Sequence, residues 1–368
     1  MDNYKYLKVF YNDILVGTLA KTPEKVVAFE YDSDWLNNGF SISPFSLPLI
    51  KKVFIPKYEP FDGLFGVFND SLPDGWGRLL VDRLFLKNKI NPAEIDNLNR
   101  LAVVQESGMG ALTYKPEHKF ETENAVSDLD ILAQECSKIL ESQNSDNLDE
   151  LFQLGGSSGG ARPKILTSIN NEDWIIKFPS SIDPKNIGEN EYQYSLCAKD
   201  CGINMTETKL FPSEICSGYF GIKRFDRENN KKVHMVSVSG LLETSHRLPN
   251  LDYNLLMKLT LELTRNYEDI EQLFRLMCFN VFAHNRDDHS KNFSYLYDNN
   301  KKEWHLSPAY DLTYGFSFNG EHATTINGEG KNPSLDDILT VSKNIGLNEK
   351  FAKDIALEIQ EKCKKLFD

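Results

Sequence analysis

The sequence predicts an α+β chain. Three observations lead there: short β-type runs fill the first 56 residues, a second set of strand patterns starts near residue 150, and long helical patterns dominate from residue 254 onward. Strands and helices segregated along a chain point to an α+β architecture rather than to an alternating parallel sheet. At 368 residues the chain suits two or three domains of roughly 150 residues each. A polar, acidic stretch at 115–150 reads as a join, and the expected divisions are 1–115, 116–235 and 236–368.

Residues 7–11, 14–19 and 26–31 read as strands, separated by Asn-Asp and Thr-Pro turn signals. In FNDSLPDGWGRLLVDRLFLKN, Asp74 is placed as an N-cap, and Trp76, Leu80 and Leu84 recur every four residues, as one helix face requires. A helix is expected at 128–140, then strands at 151–154, 164–169 and 173–178. Further helices are expected at 189–201, 254–264 and 267–283. In the last of these, Ile270, Leu273, Phe274, Met277 and Val281 form one apolar stripe. Residues 293–297 and 303–306 read as a hairpin around the turn at 298–301. The final helix, 351–366, repeats Phe351, Ile355, Ile359 and Cys363 at a spacing of four.

The composition, 40% apolar and 26% charged, is that of an ordinary globular protein. A net charge of −13 argues against a surface built mainly to neutralise a phosphate backbone, so any nucleic-acid role would need a local basic patch or a basic partner. The first residues, MDNYKYLKVFYND, hold no apolar signal-peptide core, and no run of 18 apolar residues predicts a membrane span. A cytoplasmic location is expected. None of the six cysteines lies in a C-x-x-C pair, and they read as reduced core residues.

Three stretches carry chemistry. GGSSGGARPK, 155–164, lies between two expected strands, where its glycines allow close approach to a ligand and its N–H groups can cradle phosphate oxygens; a plain glycine-rich connector is the other reading. In WIIKFPS, Lys177 alternates with Ile176 and shares a face with Ile175. It either snorkels to water or binds phosphate one strand beyond a glycine loop, with Glu191 as its acidic partner. In HNRDDHSKNFSYLY, Asp287 and Asn292 stand five positions apart, the spacing of a kinase catalytic loop. There a carboxylate orients the attacking hydroxyl and a neutral amide oxygen ligates a divalent ion. The hairpin that leaves from Asn292 returns the chain to the same end at Asp311, since paired strands lie about 4.8 Å apart. This oxygen set suits Mg²⁺. His284 and His289 form a weaker alternative as a transition-metal pair, and Asp288 and Lys291 read as a solvated loop face.

The motifs GGARPK, WIIKFPS, IKRFDR, HNRDDHSKNFS and LSPAYDLT occur in the order found in HipA-like serine/threonine kinases, the toxin halves of bacterial toxin–antitoxin pairs, and FNDSLPDGWGRLLVDRL is similar to part of that family's N-terminal subdomain. The resemblance covers most of the chain. It implies a bilobal protein-kinase-like fold, with ATP and Mg²⁺ as cofactors. By the same resemblance Asp287 looks like the catalytic base, and Asn292 and Asp311 like the metal ligands. Lys177 looks like the lysine on the ATP phosphates, and Gly159, Gly160, Ala161, Arg162, Pro163 and Lys164 like the nucleotide loop. Lys223, Arg224 and Phe225 look like the segment that meets adenine, with His289 and Tyr310 flanking the nucleotide. Ser157, or its neighbour Ser158, matches a loop serine that family members autophosphorylate. Asp288 departs from the pattern, standing where a glycine is often found, and Pro163 removes one N–H from any phosphate cradle.

The expected function is therefore that of a serine/threonine protein kinase acting as a toxin. The expected partners are a HipB-like helix-turn-helix antitoxin and a protein substrate, for which the family supplies aminoacyl-tRNA synthetases as examples. The alternatives are an antitoxin-binding co-repressor with little kinase activity and a small-molecule kinase using a related Asp-x₄-Asn loop. The segment 312–332, rich in Gly, Ser and Thr, is expected to face the substrate.

Overall fold

Alternation along the first strands builds the first sheet. In Tyr6–Tyr11, Leu7, Val9 and Tyr11 turn inward while Tyr6 and Lys8 face water. The sheet runs Val53–Phe54, Val27–Tyr31, Ile14–Lys21, Tyr6–Tyr11, Leu112–Lys115, with every neighbouring pair antiparallel. The computed structural model describes residues 3–104, 106, 108–120, 128–145, 147–229, 231–315 and 318–367.

A second, four-stranded sheet has the order Lys164–Ile169, Glu172–Lys177, Tyr219–Lys223, Thr208–Phe211. Trp174, Ile176 and Phe178 from this sheet pack with Trp76 and Leu80 of the helix Gly75–Lys87, and with Leu132, Cys136 and Ile139 of Leu129–Leu140. The expected face of Trp76, Leu80 and Leu84 is fully buried.

One element differs. Residues 151–154 are not a strand but part of the helix Leu148–Gly155. Leu148, Leu151, Phe152 and Gly155 follow the helical three-to-four spacing, and Asp149 and Glu150 in the first turn favour the positive end of the helix dipole. Four residues were too few to separate the two periods. The glycine-rich loop thus leaves a helix, not a strand.

Packing divides the chain into two compact units. The first comprises Met1–Glu189, Lys209–Val236 and Gly240–Thr244; the second comprises Asn190–Thr208, Ser237–Ser239 and Ser245–Asp368. The second unit is mostly helical. Its helices Tyr253–Thr264 and Tyr267–Phe282 start on Asp252 and Asn266, whose side chains accept the backbone N–H groups of Asn254 and Glu268. The stripe of Ile270, Leu273, Phe274, Met277 and Val281 is buried as expected. Glu349–Cys363 closes the unit, with Ile355, Ile359 and Cys363 inward and a short 3₁₀ turn at Lys364–Leu366. Among the described residues, no helix is long and apolar enough to cross a membrane.

Candidate active site

In the second unit the charged stretch forms the link between a buried helix and a hairpin. After Phe282 the chain turns out of the helix, and His284 takes a left-handed backbone with φ of 54°. The Tyr194 hydroxyl donates to the Ala283 carbonyl at 2.9 Å, and the Asn285 N–H donates to the Asn280 carbonyl at 2.9 Å, which fixes where the loop starts. Asp287 then points outward, its side chain 67% exposed. The Asn292 amide donates to the Asp287 carbonyl at 2.7 Å. With its NH₂ end used there, the amide oxygen is the end that can meet a cation. His289 Nε2 lies 3.9 Å from Asp287 Oδ1, and its ring sits 5.3 Å from that of His246.

The hairpin forms as expected. Ser294–Asp298 pairs antiparallel with Glu303–Leu306, in the register Tyr295 to Leu306 and Asp298 to Glu303. The ladder ends where the Ser307 N–H donates to the Ser294 carbonyl at 2.9 Å. The Tyr310 hydroxyl then meets both the Lys291 carbonyl and Ser294 Oγ at 2.6 Å. Further on, the Gly315 N–H donates to the His284 carbonyl at 3.0 Å. A Cβ on Gly315 would come within 3.0 Å of the backbone nitrogens of Arg286 and Asp287, so glycine permits this close approach. Asp311 is therefore bracketed by contacts to both ends of the loop that carries Asp287 and Asn292. Its φ of 58° is left-handed, a conformation aspartate tolerates better than most side chains.

Asp288 is not the solvated residue the sequence suggested. It is 1% exposed. Its carboxylate accepts from the Tyr253 hydroxyl at 3.0 Å, from His322 Nδ1 at 3.1 Å and from the Thr324 N–H at 3.1 Å, and its own carbonyl accepts from Thr324 Oγ1 at 2.5 Å. Behind it, the Asn280 amide donates to the Tyr253 oxygen and the Asn285 amide donates to Asn280 Oδ1, both at 2.9 Å. The next residue after the exposed aspartate is thus the buried anchor of its loop. Asp288 has no left-handed backbone, so the glycine expected there is not needed for its conformation.

In the first unit, the glycine-rich loop is held by the helix Gly75–Lys87. Asp74 stands at the N-cap position as expected, yet its carboxylate caps no N–H of that helix and instead accepts the Gly160 N–H. The Trp76 N–H donates to the Gly160 carbonyl at 2.9 Å, and Trp76 Nε1 to the Lys164 carbonyl at 3.1 Å. A Cβ on Gly77 would lie 2.1 Å from the Ser158 carbonyl oxygen, so only glycine admits the loop at this distance. Gly160 and Ala161 form an exposed tip, Gly159 is half-buried, and Ser157 and Ser158 are buried. The Ser158 hydroxyl donates to the Gly155 carbonyl at 2.6 Å.

Lys164 and Lys177 are directly paired across adjacent strands. Their side chains therefore share one face of the sheet. Lys164 Nζ donates to the Gly159 carbonyl at 2.6 Å, and Lys177 Nζ lies 5.5 Å from the centre of the Phe220 ring. Lys177 alternates with buried Ile176, as expected, and belongs to the first unit, whereas buried Glu191 belongs to the second. Arg162 forks onto Asp183 at 3.1 and 3.3 Å, and the Pro163 carbonyl accepts the Phe178 N–H. Lys223 pairs with Glu172 at 2.5 Å. Arg224 is buried, with its guanidinium on Asp226 at 2.8 and 2.9 Å and its N–H on the Asp173 carbonyl. Phe225 is half-buried.

Comparison with known proteins decides the family. A model described as the HipA-like C-terminal domain matches residues 156–367, and one described as the HipA N-terminal domain matches residues 7–115. The chain belongs to the HipA family. It is 26% identical over 214 residues to "Putative kinase Y4dM" of Sinorhizobium fredii, covering 53% of this chain and 51% of that protein. It is 27% identical over 255 residues to a "Putative kinase" of Haemophilus influenzae, covering 58% of this chain and 74% of that protein. The chain thus spans about half the length of the first of these relatives. A solved complex of HipA, HipB and operator DNA from a Shewanella oneidensis MR-1 toxin–antitoxin system contains a chain with the same fold. That match has a TM-score of 0.71 and 18% identity, covering 98% of this chain and 90% of that one. The α+β, HipA-like fold expected from the motifs is therefore the observed one.

The HipA motifs read from the sequence did not include the Asp288 anchor. Its signal was present as Asn280, a polar residue in the apolar helix, now 2% exposed. His322 and Thr324 lie over 30 positions from their partner, and nothing local announces that pairing.

Proposed function

We propose that this HipA-family chain is an ATP- and Mg²⁺-dependent protein kinase that phosphorylates serine or threonine and acts as the toxin beside a HipB-like helix-turn-helix antitoxin. One observation carries the reading. Asp311 is bracketed against the loop where Asn292 is tied to the Asp287 carbonyl, while the Asp287 carboxylate stands exposed. Two hard oxygen donors and an accessible carboxylate within one loop and hairpin suit phosphoryl transfer, which asks a protein mainly for positioning and charge neutralisation.

In this reading the Asn292 amide oxygen and the Asp311 carboxylate would hold Mg²⁺, which when bound would offset negative charge on the nucleotide's phosphates. Asp287 orients the acceptor hydroxyl and takes its proton as that oxygen bonds to the γ-phosphorus and the bond to ADP breaks. Lys177 and the 159–164 loop bind phosphates, with the Lys164–Lys177 pair as an electropositive step in the sheet. Residues 223–225 meet adenine through their backbone. The Arg224 N–H is itself bonded to the Asp173 carbonyl, which holds this segment against the neighbouring strand. His289 and Tyr310 flank the nucleotide. Tyr310 also ties the hairpin to the loop through Lys291 and Ser294.

Family membership and the solved Shewanella complex of HipA with HipB support the proposed HipB-like partner. The charge of −13 suits a basic partner, with DNA reached only through it. Phosphoproteomics after expression of the wild-type chain or of Asp287→Asn tests the proposal. Serine or threonine phosphopeptides of one or a few proteins, an aminoacyl-tRNA synthetase among the candidates, are expected with wild type alone. Indistinguishable phosphoproteomes refute it. Turnover with small acceptors but not with extract proteins would favour a small-molecule kinase instead.

A further inference from the structure

We propose that Cys197, Cys201 and Cys363 form a binding site for one thiophilic closed-shell cation, zinc(II) or copper(I). Their sulfurs lie within 4.8 Å of one another, the one such group of three or more metal-ligating side chains among the described residues. Cys197 and Cys201 stand four positions apart at the C-terminal end of Ile187–Asp200, which puts both on one face. Cys363 is the last residue of Glu349–Cys363 and comes from a different helix. All three belong to the second unit. A tetrahedral zinc with Zn–S bonds of about 2.3 Å needs sulfurs roughly 3.8 Å apart, so the observed triangle closes with shifts of an ångström or less.

The surroundings suit thiolates and a cation better than a plain apolar core. Lys362 and Lys365 lie at the same helix ends: Lys362 donates to the Asp200 carbonyl, and Lys365 donates to the Asp200 carboxylate at 3.4 Å. Three thiolates and zinc would carry a net charge of −1 at the partly open edge of the unit. Cys197 is half-buried and the other two are 1% exposed, so an ion can enter from one side. A fourth position is left for water or an added ligand, as in zinc sites that are not purely structural. Three thiolates also satisfy copper(I), which takes soft ligands. The ion would fasten the C-terminal helix to the helix whose Tyr194 holds the Ala283 carbonyl at the start of the catalytic loop.

The full chain, reduced and stripped with a chelator, would be titrated with Co²⁺ as a spectroscopic probe, then with Zn²⁺ and with Cu(I) under competing chelator. One ion per chain is expected, with a thiolate-to-cobalt charge-transfer band, displacement by zinc, and a higher thermal midpoint on zinc binding. Cys363→Ser and the more exposed Cys197→Ser should each weaken binding by roughly a hundredfold or more, whereas Cys216→Ser should change nothing. The proposal is overturned if the reduced protein takes up neither ion. It is also overturned if binding survives loss of Cys197 or Cys363, or if peptide mapping finds a Cys197–Cys363 disulfide and reduction yields no metal uptake.

Discussion

Adjacent aspartates with opposite environments give the sharpest prediction. Asp288→Ala removes a 1% exposed carboxylate that accepts from Tyr253, His322 and the Thr324 N–H. Each donor left buried without a partner costs about 1–3 kcal/mol, and relaxation recovers part of the sum. A net loss of roughly 3–5 kcal/mol follows. For a unit of this size that lowers the thermal midpoint by about 10 °C. Asp287→Asn, one residue earlier on a 67% exposed side chain, should shift stability by less than about 0.5 kcal/mol while turnover falls by several orders of magnitude. Denaturant titration and ATP turnover of both variants provide the assay. If Asp288→Ala melts like wild type, or if Asp287→Asn is the destabilised one, the assignment of anchor and base is wrong.

Other perturbations reach the first unit. Gly77→Ala sets a methyl against the Ser158 carbonyl, and should cost about 1–3 kcal/mol and raise the KM for ATP with little change in kcat. An unchanged KM would detach the helix from the nucleotide loop. The Glu243 carboxylate, desolvated by burial and bonded to the Gly66 N–H, has its pKa raised from the ordinary 4.5 to about 7. Its neutral form is the one that favours folding, so its contribution is full below pH 4.5 and is lost as pH rises to about 7. After allowance for solvent screening, Glu243→Gln should be more stable than wild type by about 1–2 kcal/mol at pH 8 and equal to it near pH 4, as denaturant midpoints across pH would read. A buried Ser157 has no room for a phosphate of charge about −2, so autophosphorylation there must expel the loop. Limited proteolysis after incubation with ATP should then cut within 155–164, and only in enzyme with Asp287 intact. Phosphate on Ser157 with unchanged cleavage would contradict the switch.

Much of this molecule was legible in the residues because its strong signals are local. The stripe from Ile270 to Val281 and the turn around Asp298 each encode their element within a few residues, and the hairpin then dictates where Ser307 and Tyr310 return. The segment 151–154 was misread because a four-residue apolar run fits either period. Asp288 was misread because its partners, Tyr253, His322 and Thr324, are distant in sequence, and a charged residue in a charged loop looks solvated. Asp74 was placed at its helix correctly, but the sequence held no sign that its carboxylate would serve Gly160 instead. The cysteines read as core residues taken singly; only the meeting of two helix ends reveals the thiol cluster.

Purified protein incubated with γ-labelled ATP and a serine/threonine acceptor, with Mg²⁺ or with chelator, tests the central claim most directly. The account predicts phosphate transfer by wild type that requires Mg²⁺ and is nearly abolished in Asp287→Asn, Asn292→Ala and Asp311→Asn, all three still folded. Transfer that persists in folded Asp287→Asn or Asp311→Asn, or that proceeds without Mg²⁺, would contradict it.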